Sequence, residues 1–469
     1  VYKRQYYIPS EKSAKEYMDE NMFLVLFTNN HCIRKLKQKS NEKCTILHTY
    51  NTLPLTLIKA NLEDLIHFLK ENKIHSAYIF PNKYYYPAVI KESYENVTYP
   101  TLTNVLDIGA QYFWSNGYTG ANIKIGIIDT GIDSNHPDLQ NKIIAAKSFV
   151  LKKYGYNVNE TSTGDGSGHG TFVASVICGT GIGSKENGTG VAPDALILNA
   201  RAFPSGKVTF ATTAGLIAAL EWLSLGPDGK ENTGDEADII NMSISGPPSF
   251  TDPLRLVIDN IVKKGIIIVA AAGNEGDSGT NSMSITTPGD SLYSITVGGS
   301  EINGSKISYF SSIGPTSDLI VKPDITAPAK AIAASPGGGY HEIFGTSVST
   351  AYITGSVALI LEYILKNNII LSKEDLPGFI KTILLSSAKK VQEADELWSG
   401  AGYINLKQAY SLRQSVKSGN NTKLLYVAPN HIPAGHTSSQ PFFPYGKYVF
   451  KGLSLIHISE PTRPRLISY

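Results

Sequence analysis

The stretch IFGTSVSTAYITGSVALIL, residues 343–361, decides the fold. A Gly-Thr-Ser turn leads directly into a run of small and apolar residues, which predicts a helix buried in the middle of a large domain. Ser347 then lies at the helix N-terminus, where free N–H groups and the helix dipole stabilise negative charge. Serine also caps ordinary helices, so Ser347 alone does not indicate a nucleophile. A base and a carboxylate elsewhere in the sequence would be needed for that interpretation.

Two other stretches supply such partners. The run IGIIDTGID, residues 125–133, is typical of a buried parallel strand that delivers Asp129 at its C-terminal end. The run DGSGHGTFVASVI, residues 165–177, presents His169 at the start of an apolar helix. Alone, Asp129 is more easily explained as a turn residue and His169 as a core or surface histidine. Together the three stretches supply a carboxylate, a base and a nucleophile.

These stretches, in this order and with these flanks, resemble the subtilisin-like serine peptidases (subtilases) from about residue 104 to residue 410. A fourth stretch, IIIVAAAGNEG at residues 266–276, is a buried strand that ends in Gly-Asn. In subtilases the matching asparagine donates to the oxyanion, so the resemblance implies this role for Asn274. Alternating strands and helices predict a mainly parallel sheet between helical layers, and the resemblance implies the three-layer α/β subtilisin-like fold.

The resemblance implies acyl transfer, in which Ser347 attacks a peptide carbonyl and His169 takes its proton. Asp129 would hold the imidazole in the useful tautomer, while Asn274 and the Ser347 backbone N–H stabilise the oxyanion. The resemblance also implies that the substrate adds as a strand beside two walls of a pocket for the residue before the scissile bond. The residues of these walls are Ser243, Ile244, Ser245, Gly246, Ala271, Ala272 and Gly273.

Residues 6–98, before the catalytic region at residues 99–410, are predicted to form a small α+β unit. Its strands are predicted at residues 22–27, 45–57 and 76–81, with a short helix at 31–43 and an amphipathic helix after Asn61. The unit resembles the inhibitory propeptide of subtilases; an unrelated α+β domain is the alternative. The resemblance implies an intramolecular inhibitor whose tail, around Tyr84 to Tyr99, runs through the active site and is then cut.

Both ends of the chain match a transposon-type sequencing adapter. VYKRQ at residues 1–5 and LSLIH at residues 453–457 correspond to its two strands, so residues 1–5 and 453–469 are excluded from fold reasoning. We therefore expect a fragment of a longer open reading frame. Residues 411–423 are predicted to be a polar linker, and residues 424–452 to begin a truncated β-rich domain.

The composition limits the classes of molecule that the protein is expected to bind. The net charge of the 469 residues is +2 and basic residues form no tract, so nothing favours nucleic acid or an anionic membrane. No membrane segment is evident; we expect a monomer that acts on protein or peptide substrates in an extracellular or cell-surface location. Three cysteines do not make a disulfide scaffold, although Cys32 and Cys44 could pair, and Cys178 is predicted to be a core thiol.

The implied chemistry needs no cofactor. Asp138 matches one calcium ligand of some subtilases, but a single ligand does not make a site, so structural calcium stays open. Three rival functions also stay open. An acid-acting sedolisin-type peptidase is disfavoured by His169, a catalytically inactive binding module is disfavoured by the intact set of residues, and a narrow-specificity processing peptidase is harder to exclude.

Overall fold

The protein is described here by a computed structural model that covers most of the chain between residues 21 and 417. The described residues are 21–27, 33, 36, 43–72, 74, 77–89, 101–156, 158–206, 210–249, 252–277, 282–369, 371–392, 394–417, 425–426 and 448–449. Cys32, most of the predicted helix at 31–43, the tail beyond residue 89 and both adapter-like ends lie outside them.

The N-terminal unit is a four-stranded antiparallel sheet covered by a helix. Its elements are β1 (Met22–Phe27), β2 (Thr45–Thr49), β3 (Leu55–Lys59), α1 (Leu62–Glu71) and β4 (Ala77–Pro81). The strand order is β2-β3-β1-β4. One face of the sheet packs on α1, where Val25 meets Leu65 and Phe68 in a separate small core. The other face sends Leu24 and Leu57 into a core that it shares with the larger unit.

A seven-stranded parallel sheet forms the centre of the larger unit. The strands of this unit are β5 (Tyr84–Pro87), β6 (Lys124–Asp129), β7 (Ile143–Ser148), β8 (Leu196–Arg201), β9 (Ala211–Thr212), β10 (Ile239–Met242), β11 (Ile244–Ser245), β12 (Ile267–Ala271), β13 (Ile295–Ser300), β14 (Ile325–Pro328), β15 (Lys330–Ser335) and β16 (Gly339–Phe344). The central order is β14-β13-β12-β10-β6-β8-β7, with every pair parallel. Except for the edge strand β7, which is partly exposed, these strands are mainly apolar and buried on both faces, as a helix-covered parallel sheet requires.

Helices cover both faces of this sheet. They are α2 (Thr101–Asp107), α3 (Gln111–Trp114), α4 (His169–Cys178), α5 (Thr213–Leu225), α6 (Pro253–Lys263), α7 (Thr346–Lys366), α8 (Leu376–Ser387), α9 (Glu396–Ser399) and α10 (Leu406–Lys417). Helices α4 and α7 lie in the core on one face, and α5 and α6 in the core on the other. The predicted three-layer α/β fold is therefore confirmed.

The helix that opens at the Gly-Thr-Ser turn is the central core helix, as its sequence predicts. Within the described part of the chain, α7 is the one helix long and apolar enough to cross a bilayer, yet 94% of its apolar window is buried inside the fold. Such a helix is therefore accounted for by the protein core. Cys178 is also buried, and its thiol donates to the Ala174 carbonyl oxygen at 3.4 Å.

Two boundaries differ from the sequence prediction. The strand-like stretch at residues 45–57 is a hairpin of β2 and β3, because Pro54 between them lacks the N–H that would continue a ladder. Residues 411–417 of the predicted linker at 411–423 are helical, since α10 continues to Lys417. Residues 411–417 contain no glycine or proline, so their polar character does not end the helix. Beyond it, β17 (Leu425–Tyr426) pairs antiparallel with β18 (Tyr448–Val449).

A buried carboxylate joins β13 to α8 beneath the sheet. Asp324 Oδ2 accepts from Lys322 Nζ at 2.6 Å and from the Thr296 backbone N–H at 2.8 Å, while Oδ1 contacts Lys381 Nζ at 2.8 Å. Burial alone would raise the pKa of Asp324, but the two ammonium groups outweigh it and hold that pKa below its usual value. The ionised carboxylate therefore holds two buried lysines in the core and opposes the burial that lowers the pKa of Lys322 to about 7.

Replacing Asp324 with asparagine should leave Lys322 and Lys381 without their counter-charge. We expect Asp324→Asn to lower the free energy of unfolding by about 3–5 kcal/mol, measured by urea unfolding in a Ser347→Ala background that prevents self-digestion. Glu231→Gln, which removes the half-exposed ion pair with Lys264, is the control and should change that free energy by less than about 1 kcal/mol. Equal effects of the two substitutions would contradict the structural role of Asp324.

Candidate active site

Two buried side chains meet at the C-terminal edge of the central sheet. Asp129 is the last residue of β6 and His169 is the first residue of α4. His169 Nδ1 lies 2.7 Å from Asp129 Oδ1, and the two side chains are only 4% and 1% exposed. An ionised carboxylate can only accept, so the proton of this contact is on Nδ1, which leaves Nε2 as an acceptor. The Thr130 backbone N–H donates to the same carboxylate oxygen at 2.7 Å and fixes its position.

A second carboxylate, to which sequence reasoning assigns no role, holds the loop before His169. Asp165 Oδ1 accepts from the backbone N–H groups of Ser167 and Gly168, at 2.9 Å and 2.7 Å. Its Oδ2 accepts from the backbone N–H and the hydroxyl of Thr171, at 2.8 Å and 2.6 Å. Asp165 thereby satisfies the N-terminus of α4 and positions the imidazole. An Asp ahead of a glycine-rich helix start is the local signal that could have identified it.

A second histidine lies close to the first. Burial, and then the neighbouring His169, lowers the pKa of His341, a residue of β16. The His341 ring also packs on Phe172, with ring centroids 5.4 Å apart. His341 is therefore uncharged at neutral pH and adds no repulsion when the imidazole of His169 takes a proton.

Ser347 lies in the first turn of α7 and is buried, as predicted. Its hydroxyl donates to the Ser243 carbonyl oxygen at 3.0 Å, and the Ser243 hydroxyl donates to the Ser347 carbonyl oxygen at 3.0 Å. His169 Nε2 has no hydrogen-bond partner among the described residues. The structure therefore joins His169 to Asp129 but leaves the Ser347 hydroxyl turned toward Ser243.

Asn274 is tied to the residue before Ser347. Its Oδ1 accepts from the backbone N–H of Thr346 at 2.9 Å and from the Thr346 hydroxyl at 3.0 Å. Because these two donors fix the orientation of the amide, its NH₂ group is the end left for a carbonyl oxygen. The Asn274 amide and the backbone N–H groups at the N-terminus of α7 can thus donate hydrogen bonds to the same acceptor.

A strand from the N-terminal part of the chain occupies the cleft beside these residues. β5 lies between β11 and β9 in a three-stranded sheet and runs antiparallel to both. On one side Tyr86 pairs with Ser245, and on the other Tyr85 pairs with Ala211. An extended segment that adds to exposed strand edges in this way is how a peptide binds by strand addition.

Ala88, the residue that follows β5, places its carbonyl group at the N-terminus of α7. The Ala88 backbone N–H donates to the Ser243 carbonyl oxygen at 3.0 Å, and the Ala88 carbonyl oxygen accepts from the Ser347 backbone N–H at 3.1 Å. A Cβ on Gly345 would lie 2.4 Å from that carbonyl oxygen and 3.0 Å from Val89 Cα, so only glycine allows this approach. The Ala88–Val89 peptide therefore lies directly against the residue predicted to be the nucleophile.

The two predicted walls of the pocket lie on either side of a short connecting segment that sequence reasoning missed. The Gly246 backbone N–H donates to the Thr287 carbonyl oxygen at 2.8 Å, and the Ser245 hydroxyl donates to Thr286 Oγ1 at 2.9 Å. The Thr286 backbone N–H donates to the Ala272 carbonyl oxygen at 2.9 Å. Residues 286 and 287 thus join the wall at 243–246 to the wall at 271–273. Because this contact joins segments distant in sequence, no local pattern indicates it.

Asp138, the residue that matches a calcium ligand of some subtilases, accepts hydrogen bonds through both of its carboxylate oxygens. Its Oδ1 accepts from the Gly183 backbone N–H at 2.7 Å, and its Oδ2 accepts from the Tyr340 hydroxyl at 2.8 Å. No group of three or more His, Cys, Asp or Glu side chains suited to a metal ion occurs among the described residues. Asp138 instead joins its own turn to the loop at residue 183 and to β16.

Comparison with known proteins gives a family match. The sequence profile of the subtilase family matches residues 120–403 of this chain. Mouse (Mus musculus) membrane-bound transcription factor site-1 protease is 29% identical over 332 residues, which cover 69% of this chain and 28% of that protein. Subtilisin NAT of Bacillus subtilis subsp. natto and subtilisin E of Bacillus subtilis (strain 168) are each 37% identical over 263 residues, or 55% of this chain and 60% of each relative. The chain thus spans less than two thirds of the length of these relatives.

Proposed function

Since the chain belongs to the subtilase family, we propose that it is a serine endopeptidase in which Asp129, His169 and Ser347 form the catalytic triad. The observation that carries the proposal is the Ala88 carbonyl oxygen, which accepts from the Ser347 N–H while its strand is paired as a bound peptide would be. The 2.7 Å contact between His169 and Asp129 supports the assignment of base and orienting carboxylate. Protein or peptide substrates, a monomeric state and an extracellular or cell-surface location are part of the same proposal.

The proposed mechanism is acyl transfer without a cofactor. The Ser347 hydroxyl leaves the Ser243 carbonyl, gives its proton to His169 Nε2 and attacks the substrate carbonyl carbon. The Ser347 backbone N–H and the Asn274 amide NH₂ then donate to the oxyanion. His169 passes the proton to the leaving amine, and water repeats the sequence to release the acyl group. Asp129 offsets the charge of the imidazolium throughout.

We further propose that the protein is a zymogen, with residues 6–98 as an inhibitory propeptide and 99–410 as the catalytic domain. The sheet of the N-terminal unit packs on the catalytic unit: the Tyr50 hydroxyl donates to the Ala214 carbonyl oxygen at 2.9 Å, and the Thr52 backbone N–H donates to Glu221 Oε1 at 3.0 Å. These contacts and β5 in the cleft are what an intramolecular inhibitor would make. Ala88–Val89 is then the first bond cut.

Self-cleavage tests the proposal. The full chain is incubated at neutral pH as wild type, Ser347→Ala and Ser356→Ala, where the last removes another buried hydroxyl from α7. We expect intact mass and N-terminal sequencing to show a product that begins at Val89 in the wild type and in Ser356→Ala, while Ser347→Ala stays whole. Cleavage that persists in Ser347→Ala, or that occurs far from residue 88, would contradict the proposal.

Removal of the Asn274 amide should reduce turnover without unfolding the protein. We expect Asn274→Ala to lower kcat by about 10²–10³-fold, because one of the two oxyanion donors is lost in the transition state. KM for the same peptide should change far less, since that donor acts mainly on the charged intermediate. Steady-state kinetics on a quenched peptide separate the two parameters. A change confined to KM would contradict the oxyanion role.

A further inference from the structure

The bound segment begins before β5 and places a lysine in the cleft. Counting back from the Ala88–Val89 bond, Lys83 is the sixth residue before the proposed cut. The Lys83 backbone N–H donates to Thr213 Oγ1 at 2.9 Å, and the Thr213 backbone N–H donates to the Lys83 carbonyl oxygen at 3.0 Å. Because these two hydrogen bonds join Lys83 to the start of α5, its side chain leaves the segment at a fixed position.

The ammonium group of Lys83 meets a buried carboxylate of the catalytic unit. Lys83 Nζ lies 3.1 Å from Asp252 Oδ2, with the lysine side chain 27% exposed and the aspartate side chain 0% exposed. The other oxygen of Asp252 caps α6 by accepting from the Leu254 backbone N–H at 3.0 Å. This cap fixes the carboxylate in place, and the helix N-terminus favours its negative charge. Asp252 is therefore a fixed anion with one oxygen close to the bound segment.

Other charges near Asp252 do not balance it. Among the described residues, Lys83 is the cation within ion-pair distance of Asp252. The Arg255 guanidinium, one turn along α6, lies 2.7 Å from Asp318 and 3.7 Å from Asp290. Burial raises the pKa of Asp290 to about 6, a rise that Arg255 opposes and Asp252 increases. Three carboxylates thus share one guanidinium here, so a cation from the bound segment offsets an excess of negative charge.

We propose that Asp252 forms a cation-binding subsite that selects lysine or arginine as the sixth residue before the cleaved bond. The inference rests on the proposed peptidase activity and names its substrate class. Once the cut propeptide leaves, Asp252 loses its cation, and a substrate with a basic residue at this position restores the ion pair. Substrates are then proteins with an extended segment that carries such a residue. This is the narrow-specificity branch of the functions that the sequence leaves open.

The charge of the side chain, more than its length, decides this selection. Norleucine at the sixth position would keep the alkyl stem of lysine but leave the buried Asp252 carboxylate without its cation. That loss costs more than the loss of an exposed ion pair. Glutamate would bring a further negative charge toward three carboxylates. Arginine carries the same charge as lysine on a stem of similar length, so we expect it to replace lysine.

Four quenched peptides test the proposal on the self-processed protein. Each contains Asn-Xaa-Tyr-Tyr-Tyr-Pro-Ala-Val, which copies residues 82–89, with Lys, Arg, norleucine or Glu as Xaa. Active sites are counted by labelling Ser347 with a fluorophosphonate, so kcat/KM refers to active enzyme alone. We expect Lys and Arg to exceed norleucine by about tenfold, because a charge-assisted contact is lost, and Glu by about a hundredfold, because the charge is reversed.

Two further measurements on the wild type locate the charge effect. One pair of peptides has norleucine at the sixth position and either Lys or norleucine at the fifth, in place of Tyr84. Because successive side chains of a strand point to opposite faces, these two peptides should differ by less than about threefold. Raising the NaCl concentration from about 50 mM to about 500 mM should reduce the preference for Lys at the sixth position, since salt screens a partly exposed ion pair.

Two variants assign the selection to Asp252. Asp252→Asn keeps a helix cap but removes the charge, so it should bring the Lys and norleucine peptides to within about threefold of each other. Asp238→Asn is the matched control, because Asp238 pairs with Lys124 at 3.2 Å at the opposite edge of the central sheet. This control should keep the tenfold preference. The peptide comparisons need the wild type alone, so loss of folding in a variant does not remove the test.

The outcomes are distinguishable. A protein that labels and cuts the Lys, norleucine and Glu peptides within threefold of one another overturns the cation subsite but leaves the peptidase intact. A preference for Lys that survives Asp252→Asn, or that is equally strong at the fifth position, also overturns it, because another group then attracts the charge. A folded protein that neither labels nor cuts overturns the proposed function and this inference together. A preference for Lys that is confined to the sixth position and lost in Asp252→Asn supports it.

Discussion

Replacing Ser347 with alanine should lower kcat by about 10⁶-fold, and replacing His169 with alanine should do the same. In the proposed mechanism the Ser347 hydroxyl is the attacking group, and without the His169 ring that hydroxyl keeps its proton. Because the two residues act as a unit, the double variant should be no slower than either single variant. Single-turnover and steady-state assays on one quenched peptide measure all three rates. The residual turnover above the uncatalysed rate then measures the contribution of Asn274 and the Ser347 backbone N–H to catalysis.

The control for this result removes a hydroxyl that the proposed chemistry does not touch. Ser356→Ala removes a buried hydroxyl that donates to the Tyr352 carbonyl oxygen within the same helix. This variant should keep kcat within about threefold of wild type, since Ser356 lies more than two turns along α7 from Ser347. If Ser347→Ala retained a tenth of wild-type kcat with a normal fold, another nucleophile would have to be sought.

The fold and the elements that carry the site are predictable from local sequence. Asp129 follows a run of isoleucines, and His169 opens an apolar helix after glycines. Each pattern fixes an element type and the end of that element from which the side chain projects. Because parallel strands share one C-terminal edge, such residues converge without any knowledge of long-range contacts. Ser347 was likewise indicated by a helix that lacks a polar face.

Contacts between segments that are distant in the sequence could not be predicted from local patterns. The pairing of Ala88 with Ser347 joins positions far apart in the chain, and nothing in either local pattern encodes it. The same holds for Tyr85 on Gly246, because the shape of a pocket depends on where backbones cross. Residues 84–86 are three adjacent tyrosines, and only the register with β9 and β11 distinguishes the middle one. The role of Asp165 can be predicted from local sequence, since most of its donors lie within six residues of it, although the Thr130 hydroxyl also donates to it.

Removing the Asp129 carboxylate has the next largest effect. Asp129 accepts from His169 Nδ1 and the Thr130 backbone N–H through one oxygen, and its other oxygen is buried without a partner among the described residues. This carboxylate therefore decides which ring nitrogen carries the proton and offsets the charge formed when Nε2 becomes protonated. Without it, the neutral ring is free to place its proton on Nε2, where it cannot act as a base.

We expect Asp129→Ala to lower kcat by about 10⁴-fold, less than the loss of Ser347 or His169, because the nucleophile and the base are still present. Asp228→Ala, at an exposed loop, should leave kcat unchanged and serves as the control. Asp129→Asn separates the two roles: the Thr130 N–H favours the amide oxygen facing His169, so this variant keeps the tautomer and loses only the charge. It should therefore be at least about tenfold faster than Asp129→Ala, since a neutral acceptor still binds the Nδ1 proton. Equal rates for the two variants would mean that charge, and not orientation, is what Asp129 contributes.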